Sequence, residues 1–445
     1  MTDTRQSNAE PLRYSPGEGS AKVRLWAALV LLVVFSSVYY MSGSALAATP
    51  AFEENDVMFQ LDTQRTVNDM TFYGGFHYRT KVHPVFVLMV NPVGEMLQRI
   101  TGDPELAAVL LSSILGAAGI ALFFLLVSTF LATTTTAFLL AVFFGVTSSQ
   151  SLLSNIPGTS SLAVCSLLVT LIIFAYSLRR KTVPLIPWIL AGVFSLGVTT
   201  TNIAQTGICF LLACQAAREG QSTRFPWKKA ATFTAAVLGI TAVLAVVQKA
   251  IYPTSVLFFM PEAYTEDVHY ASMLVFQTPV EILWQLFRNF LAVNIFAPLP
   301  VVFAMESRSM PAVSFTAASQ YTIFGIAGLI LWFSLWLAGL AGSIRGMIGK
   351  NTRQVLERGI FLAGLSLCLL FNLVLHSFYG VEPNGTIEYF LYSGNFTLLV
   401  LGIFSVVSGL PVRPMNAFLA ALIICATANN VEVIRQIIVL FANQM

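Results

Sequence analysis

A succession of apolar runs, each closed by a short polar or charged turn, limits this chain to very few folds. A bilayer core takes about 20 apolar residues per helical crossing. The runs from Leu25 to Ala48, Glu105 to Ala132, Ala230 to Ala250, Tyr321 to Ile344 and Gly359 to Phe378 reach that scale. With 56% hydrophobic and only 10% charged residues, the chain is too apolar for a soluble fold of this length. It reads as an all-α polytopic membrane protein of about eleven transmembrane helices, with interfacial helices in two long outer loops. No large soluble domain fits. A net charge of +3 without a basic, aromatic-interleaved patch excludes a nucleic-acid partner. The cysteines, all within apolar runs and without metal-ligand spacing, read as small core residues.

Topology follows from where Lys and Arg fall. Arg5, Arg13, Lys22 and Arg24 precede the first run, so residues 1–24 read as a disordered cytoplasmic tail and the first run as a retained signal anchor. Arg179-Arg180-Lys181, then Arg218 to Lys229, then Arg345 to Arg358, then Arg413 mark later inner turns. One sign satisfies all of them if residues 25–445 form a single transmembrane domain with outer loops at 49–104, 252–320 and 379–388. Two shorter helices broken at Thr199 to Asn202 supply one pair of crossings. Pro84 to Leu97, interrupted by Asn91-Pro92, is too short and polar to cross and reads as interfacial. The second outer loop is expected to lie on the membrane as amphipathic helices, and the tail from Asn429 as a further interfacial helix.

Charge concentrates in the first outer loop. Glu53, Glu54, Asp56, Asp62 and Asp69 lie there, with Glu95 just beyond, as do His77 and His83, two of the chain's four histidines. One acidic loop residue alone is a solvated face. A carboxylate-dense loop leading through His83-Pro84 into an interfacial helix, with a second long loop on the same side, points instead to chemistry at the membrane surface.

The first run, the acidic loop, the Gly74-Gly75 spacer and Lys81-Val82-His83-Pro84-Val85-Phe86 together resemble the opening of the membrane-embedded C-type glycosyltransferases. These include the protein O-mannosyltransferase-like and aminoarabinose-transferase-like enzymes. The Ile156-Pro157 turn, the Thr201-Asn202 break and Phe390-Leu391-Tyr392-Ser393 add weaker likenesses. The resemblance implies transfer of a sugar from a polyprenyl-phosphate donor to an acceptor glycan, lipid or protein on the extracytoplasmic face, with inversion. It implies Asp56, with Glu54 in reserve, as general base. The leaving phosphate would be met by Arg79, Lys81, His83 and Arg288, with Arg65 a further outer-side cation. Asp69, His269, His376 and Tyr379 are possible substrate contacts. The turn at Ser154 to Gly158 has no carboxylate where the family often has one, so no metal and no other cofactor is expected. The implied location is a bacterial plasma membrane, with the N-terminus inside and the site outside. A secondary transporter or flippase of lipid-linked sugars is the alternative, though its mid-membrane ionisable groups are nearly missing from the apolar runs. A non-catalytic membrane scaffold is a third reading.

Overall fold

The computed structural model describes residues 21–131, 133–218, 226–261, 278–304, 309–316, 318–346, 352–378 and 389–444. Most of the expected tail over 1–24 and the whole of the expected loop 379–388 lie outside the described residues. Numbered in chain order, seven helices are long and apolar enough to cross a membrane. They are α1 (Ala21–Ala47), α4 (Pro104–Val127), α7 (Ser160–Arg180), α10 (Trp227–Ile251), α12 (Ile323–Gly346), α13 (Thr352–Phe378) and α15 (Val412–Ala442). Four shorter apolar helices fall at the remaining expected crossings: α5 (Thr134–Val146), α8 (Leu185–Val198), α9 (Asn202–Ala216) and α14 (Gly394–Val407). The protein is an α-helical, multi-pass membrane protein.

The first helix shows why these runs need a bilayer. Ala28, Leu31, Phe35, Tyr39, Gly43 and Leu46 recur every three or four residues and are buried, forming one stripe that packs on α4. Leu25, Trp26, Val30, Val33, Val34 and Met41 are exposed on the other faces, and an apolar surface of that extent requires lipid against it. The Tyr39 hydroxyl, buried in the packed stripe, donates to the Gly145 carbonyl at 2.6 Å, as an apolar surround demands. A Cβ at Gly43 would sit 2.6 Å from the Asn155 carbonyl oxygen. Only glycine lets α1 lie this close to the turn before α7.

The turns that join the apolar helices include a basic group and an acidic one. At the basic end Arg179 donates to the Thr129 carbonyl and Arg358 to that of Phe130 at 3.0 Å, joining the turn after α4 to α7 and α13. At the opposite end lie α2 (Thr63–Thr71), α3 (Phe86–Thr101), α6 (Ser148–Leu153), α11 (Pro279–Arg288) and a hairpin of β1 (Val301–Phe303) and β2 (Ala312–Ser314). The interfacial helix expected over Pro84 to Leu97 is α3. Its first turn is held by Gln248 of α10, which accepts from the Leu88 amide at 2.9 Å and donates to the Pro84 carbonyl at 2.9 Å.

Two expectations need correction. The segment from Asn429 is not a separate interfacial helix, because α15 runs unbroken from Val412 to Ala442. The second outer loop does not simply lie on the surface either. After α11 a π-helical stretch, Asn289–Val293, leads into non-helical chain whose Ile295, Phe296 and Ala297 are fully buried. Non-helical backbone there must find internal partners. Asn430 supplies them, accepting from the Ala297 amide at 3.0 Å and donating to the Val146 carbonyl at 2.7 Å. Asn429 donates to the Ala297 carbonyl at 2.8 Å and accepts from the Thr322 hydroxyl at 2.6 Å. This clamp explains why α15 stays helical through two polar residues. Ser148 and Ser149 complete it, their amides donating to the carbonyls of Ile295 and Asn294.

Replacing Asn430 with Leu strands a buried amide and a buried carbonyl, each costing about 1–3 kcal/mol. Asn430→Leu is expected to lower the thermal unfolding midpoint in detergent well beyond Gln436→Leu on the same helix.

Candidate functional site

The acidic loop between α1 and α2 is built before it is charged. Thr49 caps a short 3-10 turn at Pro50–Phe52, after which Phe52, Val57, Met58 and Phe59 are buried. The Phe59 ring packs against Phe315 at 4.6 Å and Phe390 at 5.0 Å between centroids. Its backbone joins β2, with the Phe59 amide donating to the Val313 carbonyl and the Val313 amide to that of Val57. Asp56, Phe59 and Gln60 all have positive φ, at 65°, 50° and 57°. Left-handed backbone at residues other than glycine costs on the order of 1 kcal/mol each and persists only where packing overrides it. Here the burial of Phe59 and the strand pairing supply that override, so Asp56 stands on a rigid turn.

Asp62 occupies the N-cap of α2 without capping it. The Asn55 side chain takes over, accepting from the Arg65 amide at 3.0 Å. The Asp62 carboxylate is thereby left for two guanidinium groups, Arg65 at 3.1 Å and Arg79 at 3.5 Å. One turn on, Arg65 also reaches Asp69 at 2.5 Å, and Asp69 meets Nδ1 of the fully buried His77 at 2.6 Å. The result is a continuous ladder of alternating charge and imidazole from Arg79 to His77. Asn91 of α3 donates to the Asp69 carbonyl and accepts from the Tyr252 hydroxyl, which fixes the ladder to the end of α10. Close approach of α2 and α3 depends on Gly94, where a Cβ would fall 2.0 Å from the Met70 carbonyl oxygen.

The loop also meets the start of the second outer loop. The His77 amide donates to Thr254 Oγ1 at 3.2 Å, Thr254 Oγ1 donates to the Gly75 carbonyl at 2.6 Å, and Thr80 Oγ1 accepts from the Val256 amide at 2.7 Å. Phe72, Tyr73 and Phe76 beside this seam are exposed, as aromatic side chains at a membrane interface are.

The structure brings Asp62, Arg65, Asp69, His77 and Arg79 together and sets Asp56 near them. Burial raises the Tyr78 phenol, and the charges of Asp62 and, more weakly, Asp56 raise it further against Arg65 and Arg79. The Tyr78 phenol therefore feels the charge of both carboxylates. Glu54 accepts from the Ser309 amide at 3.3 Å and from its hydroxyl, which ties it to the hairpin. Lys81 is buried. His83 is half-buried and its Nδ1 donates to the Val198 carbonyl at 2.7 Å. Burial, then Arg65 and Arg79, depress that imidazole to about 3, so at neutral pH it offers an uncharged acceptor at Nε2 and no cation. Arg288 lies outside this cluster, its guanidinium donating to the Thr316 carbonyl at 2.6 Å. His376 is buried and stacks on Tyr392 at 4.4 Å. His269 and Tyr379 lie outside the described residues.

A hollow of about 430 Å³ opens between β1 and the end of α15, lined by Val302, Arg435, Gln436 and Asn443 among others. None of the first-loop carboxylates lines it. Among the described residues no three His, Cys, Asp or Glu side chains converge as a metal site requires. No helix is expected over 63–71 from the sequence pattern, yet α2 forms there and builds the ladder. Its signal was the i, i+3, i+7 spacing of Asp62, Arg65 and Asp69, which places all three on one helical face.

Fold and site together define a multi-pass membrane protein with a charged, rigidly built loop cluster at one end of its helix bundle. The chain matches no protein-family model and no curated protein.

The depressed His83 imidazole carries a stability consequence. The unfolded chain binds that proton near 6.5 and the folded one only near 3, so acidification between those values favours unfolding. The thermal midpoint is expected to fall between pH 7 and pH 4.5, and to fall less in His83→Gln, measured by scanning fluorimetry in detergent.

Proposed function

We propose that this protein is an integral-membrane glycosyltransferase that moves a sugar from a polyprenyl-phosphate donor to an acceptor on the extracytoplasmic face, with inversion. The observation that carries the reading is the rigid, carboxylate-bearing turn at Asp56 beside the Asp62–Arg65–Asp69–His77 ladder, next to an interfacial helix and exposed aromatic residues. A greasy donor and a water-borne hydroxyl meet at such a boundary. The resemblance of the loop and of Lys81 to Phe86 to the C-type glycosyltransferases adds to it.

In this reaction the acceptor oxygen attacks the anomeric carbon, the bond from that carbon to the phosphate oxygen breaks, and the acceptor proton passes to a carboxylate. Asp56 is the base we assign. Glu54 is held by Ser309, Asp62 pairs with Arg65 and Arg79, and Asp69 pairs with Arg65. The phosphate leaves with the bonding electron pair and is stabilised by cations. Arg79, half-exposed at the open end of the ladder, is the first-loop candidate, whereas Arg65 is committed between two carboxylates. The cytoplasmic N-terminus and the bacterial plasma membrane belong to the same proposal, supported by the Lys and Arg at the end opposite the site.

Asp56→Asn is expected to lower transfer from a polyprenyl-phosphate sugar by about 10²-fold or more while the protein inserts and accumulates normally. The readout is polyprenyl phosphate released by purified protein. Undiminished release by Asp56→Asn together with loss in Asp62→Asn would move the base to Asp62; release unaffected by either would end the carboxylate assignment.

A further inference from the structure

The first-loop arginines have carboxylate partners. Arg288 does not. It is only 9% exposed, yet among the described residues no carboxylate pairs with it, and Nη1 has no hydrogen-bond partner while Nη2 donates to the Thr316 carbonyl. A buried cation without a counter-charge costs several kcal/mol, so a chain that keeps one has a use for it. Beside it the buried Tyr321 hydroxyl interacts with Arg288 and, among the described residues, has no other hydrogen-bond partner. Burial pushes this phenol up to about 12 against the lowering effect of Arg288, and burial holds the Arg288 guanidinium below its ordinary value.

The approach to this pair is from the membrane. Helix α11 begins with a capping box, Thr278 and Glu281, and ends at Arg288. Val280, Leu283, Trp284 and Phe287, spaced i, i+3, i+4 and i+7, are all exposed, and Phe287 stacks on Phe333 of α12. An amphipathic helix with its apolar stripe open beside a spanning helix lies in the bilayer interface. The guanidinium is therefore one residue beyond a lipid-facing stripe. The π-helical stretch starting at Asn289 interrupts regular hydrogen bonding there, a feature concentrated at functional sites.

We propose that Arg288 and Tyr321 form an anion site for the phosphate of a membrane lipid, reached sideways from the bilayer past α11. The free N–H groups of Nη1 and the phenol O–H give convergent donors of the kind phosphate oxygens take. Water-soluble phosphate shares the chemistry but not the route. The assignment deepens the transferase reading by naming which cation holds the donor's phosphate, and it rests on that reading only for the lipid's identity as a donor.

The test is thermal unfolding of the full chain in detergent with farnesyl phosphate, farnesol or inorganic phosphate. Farnesyl phosphate is expected to raise the midpoint, and the other two to leave it unchanged. Arg288→Gln should be at least as stable as the parent without lipid, since an unpaired buried charge is removed, and should lose the farnesyl phosphate shift. Tyr321→Phe should weaken that binding roughly tenfold, the effect of one charge-assisted hydrogen bond. The proposal is overturned if Arg288→Gln is destabilised yet still responds, if inorganic phosphate alone reproduces the shift, or if farnesyl phosphate shifts nothing. Asp56→Asn should keep the shift, so a lipid site without transfer activity would count against the transferase reading alone.

Discussion

Everything at the acidic end depends on one requirement: polar and charged groups drawn away from water must be met where they stand. Helices meet it for their own backbone, which is why the apolar runs need no further partners. The non-helical segments at this end cannot. Each is stitched instead by side chains from elsewhere, Asn429 and Asn430 for the chain around Ala297, Gln248 for the start of α3, Asn55 for the start of α2. Apart from Asn55, these partners come from distant parts of the sequence, so the acidic end is an assembly of the whole chain rather than a decoration on the first loop.

The same requirement sorts the arginines. Arg65 is surrounded by Asp62 and Asp69, and its charge serves to hold α2 in shape. Removing one partner of such a buried pair costs about 3–5 kcal/mol because the other is left alone. Arg79 meets Asp62 at the longer distance. The three cations thus grade from structural to available, with Arg288 at the far end.

Much of the fold was legible in the sequence because lipid exposure imposes long apolar runs, and because Lys and Arg mark one side of the membrane without reference to tertiary contacts. The apolar helices themselves follow from the first of those signals. What was not legible came from contacts across the chain. Asn429-Asn430 reads as a polar break until Ala297 and Val146 are seen to need those amides. The β1–β2 hairpin is too short to show a period of its own, and its register is set by pairing with Val57 and Phe59. Within the site, Asp56 was legible as an acid but not as a left-handed residue, since nothing local to Asn55-Asp56-Val57 demands φ of 65°. That geometry is imposed by Phe59 being drawn between Phe315 and Phe390.

Phe59 also relates the two halves of the site. From Asp56 the chain runs through the buried Phe59 ring to Phe315, and the next residue, Thr316, accepts from Arg288. On the other side the same turn continues into Asp62 and so to Arg79. The turn therefore lies between a guanidinium near the lipid-facing stripe of α11 and another at the half-exposed end of the ladder. Shifting Phe59 would move both poles relative to Asp56 at once, which is a physical reason for a strained turn to be held by three aromatic rings rather than relaxed by a glycine.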